Sequence, residues 1–163
     1  MLNEYLDQLQ EGDASNIEIK ELPIKEYSIL VSLWKEFVKD TVSKTQFKYK
    51  TKPFEVKIKQ LKGSKAHIIL VAYDNDKPVG YIMGTADDKM KTGKLHGGIA
   101  QLVVSKSYRG KGIAKDLWSD LDTWFNDKKV DIKWVTALYG NKEAIGLYKS
   151  FGFIPEMLTL RMK

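Results

Sequence analysis

The sequence feature that most constrains the fold is a glycine turn that joins an apolar run to an amphipathic segment. Residues 99–104 read Ile-Ala-Gln-Leu-Val-Val, and the segment that begins at Ile113 carries apolar residues every three or four positions. The first pattern predicts a central β-strand and the second an α-helix. Gly110 and Gly112 lie between them. A strand followed by a helix begins a βαβ unit, so we expect a parallel strand later in the chain.

The rest of the chain supplies the elements of a mixed α/β fold. Loops and turns separate the periodic runs, and no Pro/Gly/Ser linker or internal repeat divides them. The strands at 66–73 and 78–86 should form an antiparallel hairpin across the turn at 74–77. We predict helices at residues 2–9, 24–42, 53–61, 113–125 and 141–150, strands at 17–21, 66–73, 78–86, 99–104, 132–138 and 153–162, and polar or charged loops at 41–52 and 87–98.

Length and composition predict one globular domain. The chain has 163 residues, of which 43% are hydrophobic and 29% charged, an ordinary soluble composition. We expect residues 1–163 to form a single domain, with residues 1–15 as a helical N-terminal extension. Cysteine is absent, which excludes disulfides, a thiol nucleophile and a thiolate metal site, and we expect no metal. No apolar run suits a membrane span and no secretion signal begins the chain, so we expect a cytoplasmic protein without a membrane partner.

The positive charge of the chain raises the question of a nucleic-acid partner. The formal net charge is +6, and lysine supplies almost all of the positive charge because Arg109 and Arg161 are the only arginines. Specific recognition of phosphates and bases favours the planar guanidinium group, whereas lysines scattered along a chain usually solvate a surface. We therefore do not expect nucleic-acid binding as the function, although a basic nucleic-acid-binding protein remains one alternative.

The glycine turn has the properties of an anion site. The first N–H groups of an α-helix have no partner within the helix, and the helix dipole adds partial positive charge there. Glycine at positions 110 and 112 allows a positive φ and a close approach of the backbone to a ligand. Lys111 and Lys115 would add positive charge. We predict a phosphate site at this turn; the alternative is a strand-to-helix turn whose glycines only cap the helix.

Two familiar phosphate-binding motifs do not fit the turn. A P-loop requires Gly-Lys followed by Ser or Thr, whereas Gly112 follows Lys111. The dinucleotide fingerprint requires Gly or Ala at its sixth position, which is Lys115 when the count starts at Gly110. A dinucleotide-binding sheet would also begin with this unit. The turn therefore belongs to a different class of phosphate site.

The turn resembles that of the GNAT superfamily of N-acetyltransferases. The signature of that family is Arg or Gln, two residues, Gly, one residue, and Gly or Ala, which Arg109, Gly112 and Ala114 match. Two further blocks are similar to the family and follow its order: the hairpin around Leu70–Ile82, and the C-terminal run Asn141, Ala144, Leu147-Tyr148 and Phe151-Gly152-Phe153. The resemblance covers residues 17 to 162.

The resemblance implies a fold and a set of site residues. The fold is an α/β (mixed α+β) open sheet that splits into a V at its central strands, with helices on both faces. Acetyl-coenzyme A would lie in the split, Asn141 would reach its arm with the side-chain amide, and Tyr148 would lie near the sulfur as the catalytic acid. The residues implied for binding acetyl-coenzyme A are Leu102, Val103, Val104, Arg109, Gly110, Lys111, Gly112, Ile113, Ala114, Lys115, Asn141 and Ala144. From its residue type alone, Asn141 could equally cap the last helix, and Tyr148 could be a half-buried core residue.

The activity that the resemblance implies is acetyl transfer from acetyl-coenzyme A to a primary amine by direct attack. Many relatives carry a glutamate base at the start of the central strand, where this chain has Ala100. A backbone N–H near Val103 or Val104 is the candidate donor to the oxyanion. The remaining candidates for a base are Asp87, Asp88, His96, Glu36 and Asp40, and deprotonation relayed by water without a dedicated base is equally compatible. An alternative function is a non-catalytic acyl-coenzyme A sensor or regulatory module of the same fold.

The acceptor amine stays open at this stage. In the family the acceptor is read by the first two helices, the loop at 41–52 and the segment 87–98. Phe47, Tyr49, Asp87 and Asp88 could line such a site, where the acidic groups would favour a cationic amine. A small-molecule amine, a peptide N-terminus and a protein lysine all fit this description, and a homodimer is compatible with the sequence.

Overall fold

A computed structural model of the chain describes residues 16–43, 53–88, 91 and 93–160. The helix predicted at 2–9, the proposed extension at 1–15 and most of the polar loop at 41–52 lie outside the described residues. Within them, no helix combines the length and the apolar character that a membrane span requires.

The described strands form one five-stranded mixed sheet. Its order is β1-β2-β3-β4-β5. Strands β1 to β4 pair antiparallel with one another, and β5 pairs parallel with β4. The strands are β1 (Ile17–Glu21), β2 (Ala66–Asp74), β3 (Lys77–Asp87), β4 (His96–Val104) and β5 (Ile132–Val135). The predicted hairpin is therefore confirmed, as is the parallel strand that the βαβ unit required.

The helices are α1 (Val31–Ser43), α2 (Phe54–Lys62), α3 (Ile113–Asp127) and α4 (Lys142–Ser150). The single helix predicted at 24–42 is a 3₁₀ helix at Ile24–Leu30 followed by α1. Ile24, Tyr27 and Leu30 all pack on the core beneath them. Their spacing of three residues matches the three residues per turn of a 3₁₀ helix, which places these side chains in one row.

Two hydrophobic clusters cover the two faces of the sheet. The 3₁₀ helix, α1 and α2 bury one face, with Phe54, Tyr81 and Met83 near its centre. Helix α3 buries the other face through Leu117, Leu121 and Phe125, each fully buried. The prediction of an open mixed sheet with helices on both faces is thus confirmed.

Glycines in β3 and β4 set the distance between α3 and the sheet. A Cβ built on Gly84 would lie 2.3 Å from Leu121 Cδ1, and one on Gly97 would lie 2.9 Å from the Phe125 ring. Both distances are shorter than real van der Waals contacts, so a larger residue at either position would push α3 away. Because α3 begins at the glycine turn, this close packing also fixes the position of the turn.

Three predicted boundaries were wrong. His96, Gly97 and Gly98 were assigned to a loop but begin β4, because they pair with β3 and β5 on both sides. Strand β5 ends at Val135 and not at 138, where its pairing with β4 ends. No strand forms at residues 153–160, the described part of the predicted final strand, and Ile154 and Leu160 are more than 80% exposed. A strand requires a hydrogen-bonding neighbour, and β5, the edge of the described sheet, does not pair with this segment.

Candidate functional site

The sheet opens between β4 and β5. Parallel pairing covers only His96–Ile99 of β4, opposite Ile132–Val135. The next residues of β4, from Gln101 to Val104, pair with β3 on their other side. Among the described strands, the edge of β4 that faces β5 therefore has no partner from residue 100 onward. Apart from the Val104 carbonyl, which accepts from Arg109, the backbone groups on this edge could pair with an extended ligand that adds to it like a strand.

A β-bulge lies where the split begins. Met83 pairs with Gln101 and Gly84 pairs with Ile99, so Ala100 is an extra residue in β4. A bulge bends its strand and increases the local twist, which directs the following residues away from the neighbouring strand. The bulge thus gives a physical reason for the V-shaped split, and it falls at the position where the family resemblance expects a glutamate.

The glycine turn lies beyond the open end of β4. Gly110 and Gly112 have φ values of 78° and 86°, and Gly112 is the N-cap of α3. A Cβ on either glycine would meet no atom within 4 Å. The N–H groups of Lys115 and Asp116 donate to the Gly112 carbonyl, so those of Ile113 and Ala114 remain at the open end of the helix. The turn therefore offers backbone donors, a helix N-terminus and free space, which suits an anionic group.

Residues 105–109 form the link between β4 and the glycine turn, and three carboxylates hold it. Glu36 accepts hydrogen bonds from Ser105 Oγ at 3.1 Å and from the Lys106 N–H at 2.5 Å. The Arg109 guanidinium donates to Asp40 at 2.9 Å and to the Val104 carbonyl at 3.1 Å.

The third carboxylate comes from the β2–β3 hairpin. The Tyr108 hydroxyl donates to Asp74 at 2.5 Å, and this hydrogen bond, followed by burial, raises the pKa of Tyr108. The ammonium groups of Lys77 and Lys111 lie 5.8 Å and 5.6 Å from the centre of the Tyr108 ring. The link is thus fastened to α1 on one side and to the hairpin on the other.

The predicted residues of α4 lie at its start and, for Tyr148, on the partly buried side that packs against the core. Asn141 is the N-cap, and its Oδ1 accepts a hydrogen bond from the Ala144 N–H at 3.2 Å. The capping role is therefore present, and the NH₂ group of Asn141 is the part of its side chain that could donate to a ligand. The Tyr148 ring packs edge-on against Phe151 and Phe153, and burial raises the pKa of its hydroxyl to about 12.

The open strand β4 and helix α4 pack against the same hydrophobic cluster. Leu102 and Val104 of β4 and Tyr148 of α4 all pack against the cluster beneath α3. Val103 points to the opposite face. Side chains of the open strand and of α4 thus pack on the same face of the sheet as α3, which begins at the turn. The Arg109 guanidinium and the Lys115 and Ala144 N–H groups are already engaged within the protein.

The candidate bases lie in different places. Glu36 and Asp40 bind the link. Asp87 accepts from the Lys65 N–H and Asp88 from the Gly93 N–H, each at 3.1 Å. His96 is at the first position of β4, in the paired half. Among the described residues, no group of three or more His, Cys, Asp or Glu side chains could hold a metal ion.

Sequence reasoning missed a buried polar pair beside the split. The Tyr81 hydroxyl donates to Gln101 Oε1 at 3.0 Å inside the core. Gln101 is the one buried polar residue among the described residues. Alternation along β3 places Tyr81 on the core face, and a buried hydroxyl needs a partner, but the sequence does not reveal which residue lies opposite.

Comparison with known proteins supports the family resemblance of the sequence. The sequence pattern of the acetyltransferase (GNAT) family matches residues 30–153. N-alpha-acetyltransferase MAK3 of Arabidopsis thaliana is 34% identical over 87 residues, which are 53% of this chain and 45% of the relative. N-alpha-acetyltransferase 30 of Schizosaccharomyces pombe is 37% identical over 84 residues, 51% of this chain and 55% of the relative. The matched segment spans about half the length of these curated relatives.

Solved structures share the fold at low sequence identity. An aminoglycoside acetyltransferase from an uncultured soil metagenomic sample has a TM-score of 0.67 at 17% identity, with 92% of this chain and 96% of the other covered. A ribosomal-protein-alanine N-acetyltransferase from Brucella melitensis biovar Abortus has a TM-score of 0.66 at 18% identity, covering 90% and 98%. The family match spans the split strand, the glycine turn and α4, and the chain belongs to the acetyltransferase (GNAT) family.

Proposed function

We propose that the protein transfers the acetyl group of acetyl-coenzyme A to the α-amine of a peptide or protein N-terminus. The observation that carries the donor half of this proposal is the edge of β4 that pairs with none of the described strands and that leads directly to the N-terminus of α3. An extended arm and a diphosphate need these two features in this order. The backbone of Leu102–Val104 would bind the arm, and the turn from Gly110 to Lys115 would bind the diphosphate.

The acceptor assignment rests on the energy needed to produce a neutral amine. A lysine side chain has a pKa of about 10.4, so its neutral form at pH 7 costs about 4.6 kcal/mol. An N-terminal α-amine has a pKa of about 7.7–8.0, and the same step costs only about 1 kcal/mol. Ala100 occupies the usual position of the base, and the α1 carboxylates bind the link. A site of this composition suits the amine that needs little help to lose its proton.

The relatives agree with this choice of acceptor. The two curated relatives are N-alpha-acetyltransferases, and they are 34% and 37% identical to this chain within the matched segment. The aminoglycoside acetyltransferase is similar in fold at 17% identity, which carries no argument about the acceptor. We therefore favour a peptide α-amine over a small polyamine or an aminoglycoside.

In the proposed reaction, the neutral amine attacks the thioester carbon, and the carbon–sulfur bond then breaks to release the thiolate. A backbone N–H of the open β4 edge, near Val103 or Val104, would donate to the oxyanion. The proton lost by the amine ends on the thiol sulfur. Because burial raises the Tyr148 pKa to about 12, its hydroxyl stays protonated at neutral pH. Tyr148 would thus stabilise the departing thiolate mainly as a hydrogen-bond donor, since a thiol pKa is only about 8.5.

The proposal is tested by thiol release from acetyl-coenzyme A with a panel of amines. The panel contains a peptide with a free N-terminus and no lysine, the same peptide with a blocked N-terminus and one lysine, spermidine, and an aminoglycoside. We expect release only with the free N-terminus. Preference for the blocked peptide, spermidine or the aminoglycoside would overturn the acceptor assignment. Acetyl-coenzyme A binding without release for any amine would instead support the acyl-coenzyme A sensor.

A further inference from the structure

We propose that Glu36 and Asp40 form a carboxylate clasp that presets the glycine turn, and that Arg109 is an anchor within this clasp and not a ligand of the diphosphate. The inference deepens the proposed function and rests on it, because it assigns positioning residues to the same donor site. It concerns residues of α1, which lies across the sheet from α3.

The clasp is built from two carboxylates one helical turn apart. Glu36 and Asp40 are four residues apart on α1, so they share one face of the helix. Glu36 accepts from the side chain of Ser105 and from the backbone N–H of Lys106, the first two residues after β4. Asp40 accepts from Arg109, immediately before the first glycine of the turn. Together they hold both ends of the link between the open strand and the turn.

Arg109 is held at two points inside the protein. Its Nη1 is 2.9 Å from Asp40 Oδ2, and its Nε is 3.1 Å from the carbonyl oxygen of Val104. The second contact ties the side chain to the last residue of β4. The positive charge is thus paired with Asp40, and two of the guanidinium N–H donors are used within the protein. Further positive charge near the turn comes from the ammonium groups of Lys111, which also lies over the Tyr108 ring, and Lys115, and from the N-terminus of α3.

The clasp matters because the glycines of the turn supply no side-chain contacts of their own. Gly110 and Gly112 carry no side chains that pack, and both have a positive φ. Glycine loses more conformational freedom on ordering than any other residue, so a free turn of this kind would have to be ordered by the ligand. A clasp that orders the turn in advance lowers that cost and strengthens binding.

The sign of the effect separates positioning from simple electrostatics. Removal of a carboxylate near an anion site, by itself, should strengthen the binding of the anion, because one repulsive charge is lost. Loss of a positioning contact should weaken binding. We expect Glu36→Ala and Asp40→Asn each to raise the Kd of acetyl-coenzyme A about tenfold, which corresponds to about 1.4 kcal/mol.

The experiment measures the Kd of two donors by calorimetry. Acetyl-coenzyme A carries the diphosphate, whereas S-acetylpantetheine carries the same arm without it. The clasp variants should weaken only the first. Asp122→Asn is the matched control: Asp122 forms an ion pair with Lys133 at 2.7 Å, with exposure similar to that of the Asp40–Arg109 pair, but on the body of α3. We expect this control to change neither Kd.

Each outcome has a distinct meaning. If wild-type protein fails to bind acetyl-coenzyme A, the proposed function itself is wrong. If wild type binds and the clasp variants bind equally well or more tightly, the clasp is wrong. Equal weakening of both donors, together with a lowered Tm, would reduce the two carboxylates to stabilisers of the whole fold and would also overturn the clasp.

The role of Arg109 is tested by the salt dependence of binding. The double variant Arg109→Gln/Asp40→Asn removes both charges of the ion pair, so that the local net charge is unchanged, and keeps an amide that can donate to the Val104 carbonyl. If Arg109 is an anchor, the slope of log Kd against log salt concentration should equal that of wild type, even if the Kd rises. A shallower slope would mean that the guanidinium contacts the diphosphate, because each lost phosphate contact reduces the salt dependence.

Discussion

The hydroxyl of Tyr81 donates a hydrogen bond to Gln101 Oε1 at 3.0 Å, one residue beyond the bulge at Ala100. Both residues are buried, and burial raises the Tyr81 pKa, so the hydroxyl keeps its proton and acts as the donor. This fixes the Gln101 side chain with its oxygen toward Tyr81. The pair therefore joins β3 to β4 at the start of the open part of β4.

We predict that Tyr81→Phe destabilises the fold by about 1–3 kcal/mol, because it leaves the Gln101 oxygen buried without a donor. The double variant Tyr81→Phe/Gln101→Leu removes both polar groups and should recover most of that loss. Urea unfolding of the four proteins in this double-mutant cycle gives the coupling energy. Additive effects of the two substitutions would show that the hydrogen bond contributes nothing.

We predict that Gly112→Val largely abolishes acetyl-coenzyme A binding. Gly112 has a φ of 86°, which a β-branched residue adopts only with strain, and the added side chain would occupy the space beside the turn. Gly146→Val is the matched control, because a Cβ there also meets no atom within 4 Å but lies on α4. Calorimetry should show a lost signal only for position 112; undiminished affinity in a folded Gly112→Val protein would place the donor site elsewhere.

We predict that Tyr148→Phe lowers kcat about 10²-fold, at the low end for general acid catalysis, or about 2.7 kcal/mol of transition-state stabilisation. The ring and its contacts with Phe151 and Phe153 remain, so the fold and the Kd of the donor should change little. An acyl donor with a less basic leaving thiol should suffer a smaller loss. A variant with wild-type kcat would make Tyr148 a packing residue.

The raised pKa of Tyr148 also predicts the alkaline limb of the pH–rate profile. A hydroxyl with a pKa of about 12 stays protonated well above pH 10, where an ordinary tyrosine would lose its proton. Deprotonation of Tyr148 should therefore not lower kcat near pH 10, and it should lower kcat only as the pH approaches 12. Stopped-flow measurement at saturating substrates checks this, since a limb centred near pH 10 that is absent in Tyr148→Phe would contradict it.

The sequence by itself determined the elements whose signal is local. The hairpin at 66–87, helix α3 and the glycines with positive φ follow from periodicity and turn chemistry, and the structure has them. Asn141 as an N-cap is of the same kind, because its partner is three residues away. The sequence therefore specified the glycine turn and the family to which it belongs.

Tertiary structure decided what depends on neighbours distant in the chain. His96 belongs to a strand because β3 and β5 pair with it, and residues 153–160 form no strand because β5 does not. Glu36 and Asp40, two of the candidate bases, accept hydrogen bonds from Ser105 and Arg109, each 69 residues further along the chain. A carboxylate is a base or a hydrogen-bond acceptor according to what lies beside it. That arrangement arises only when α1 and α3 pack on opposite faces of one sheet.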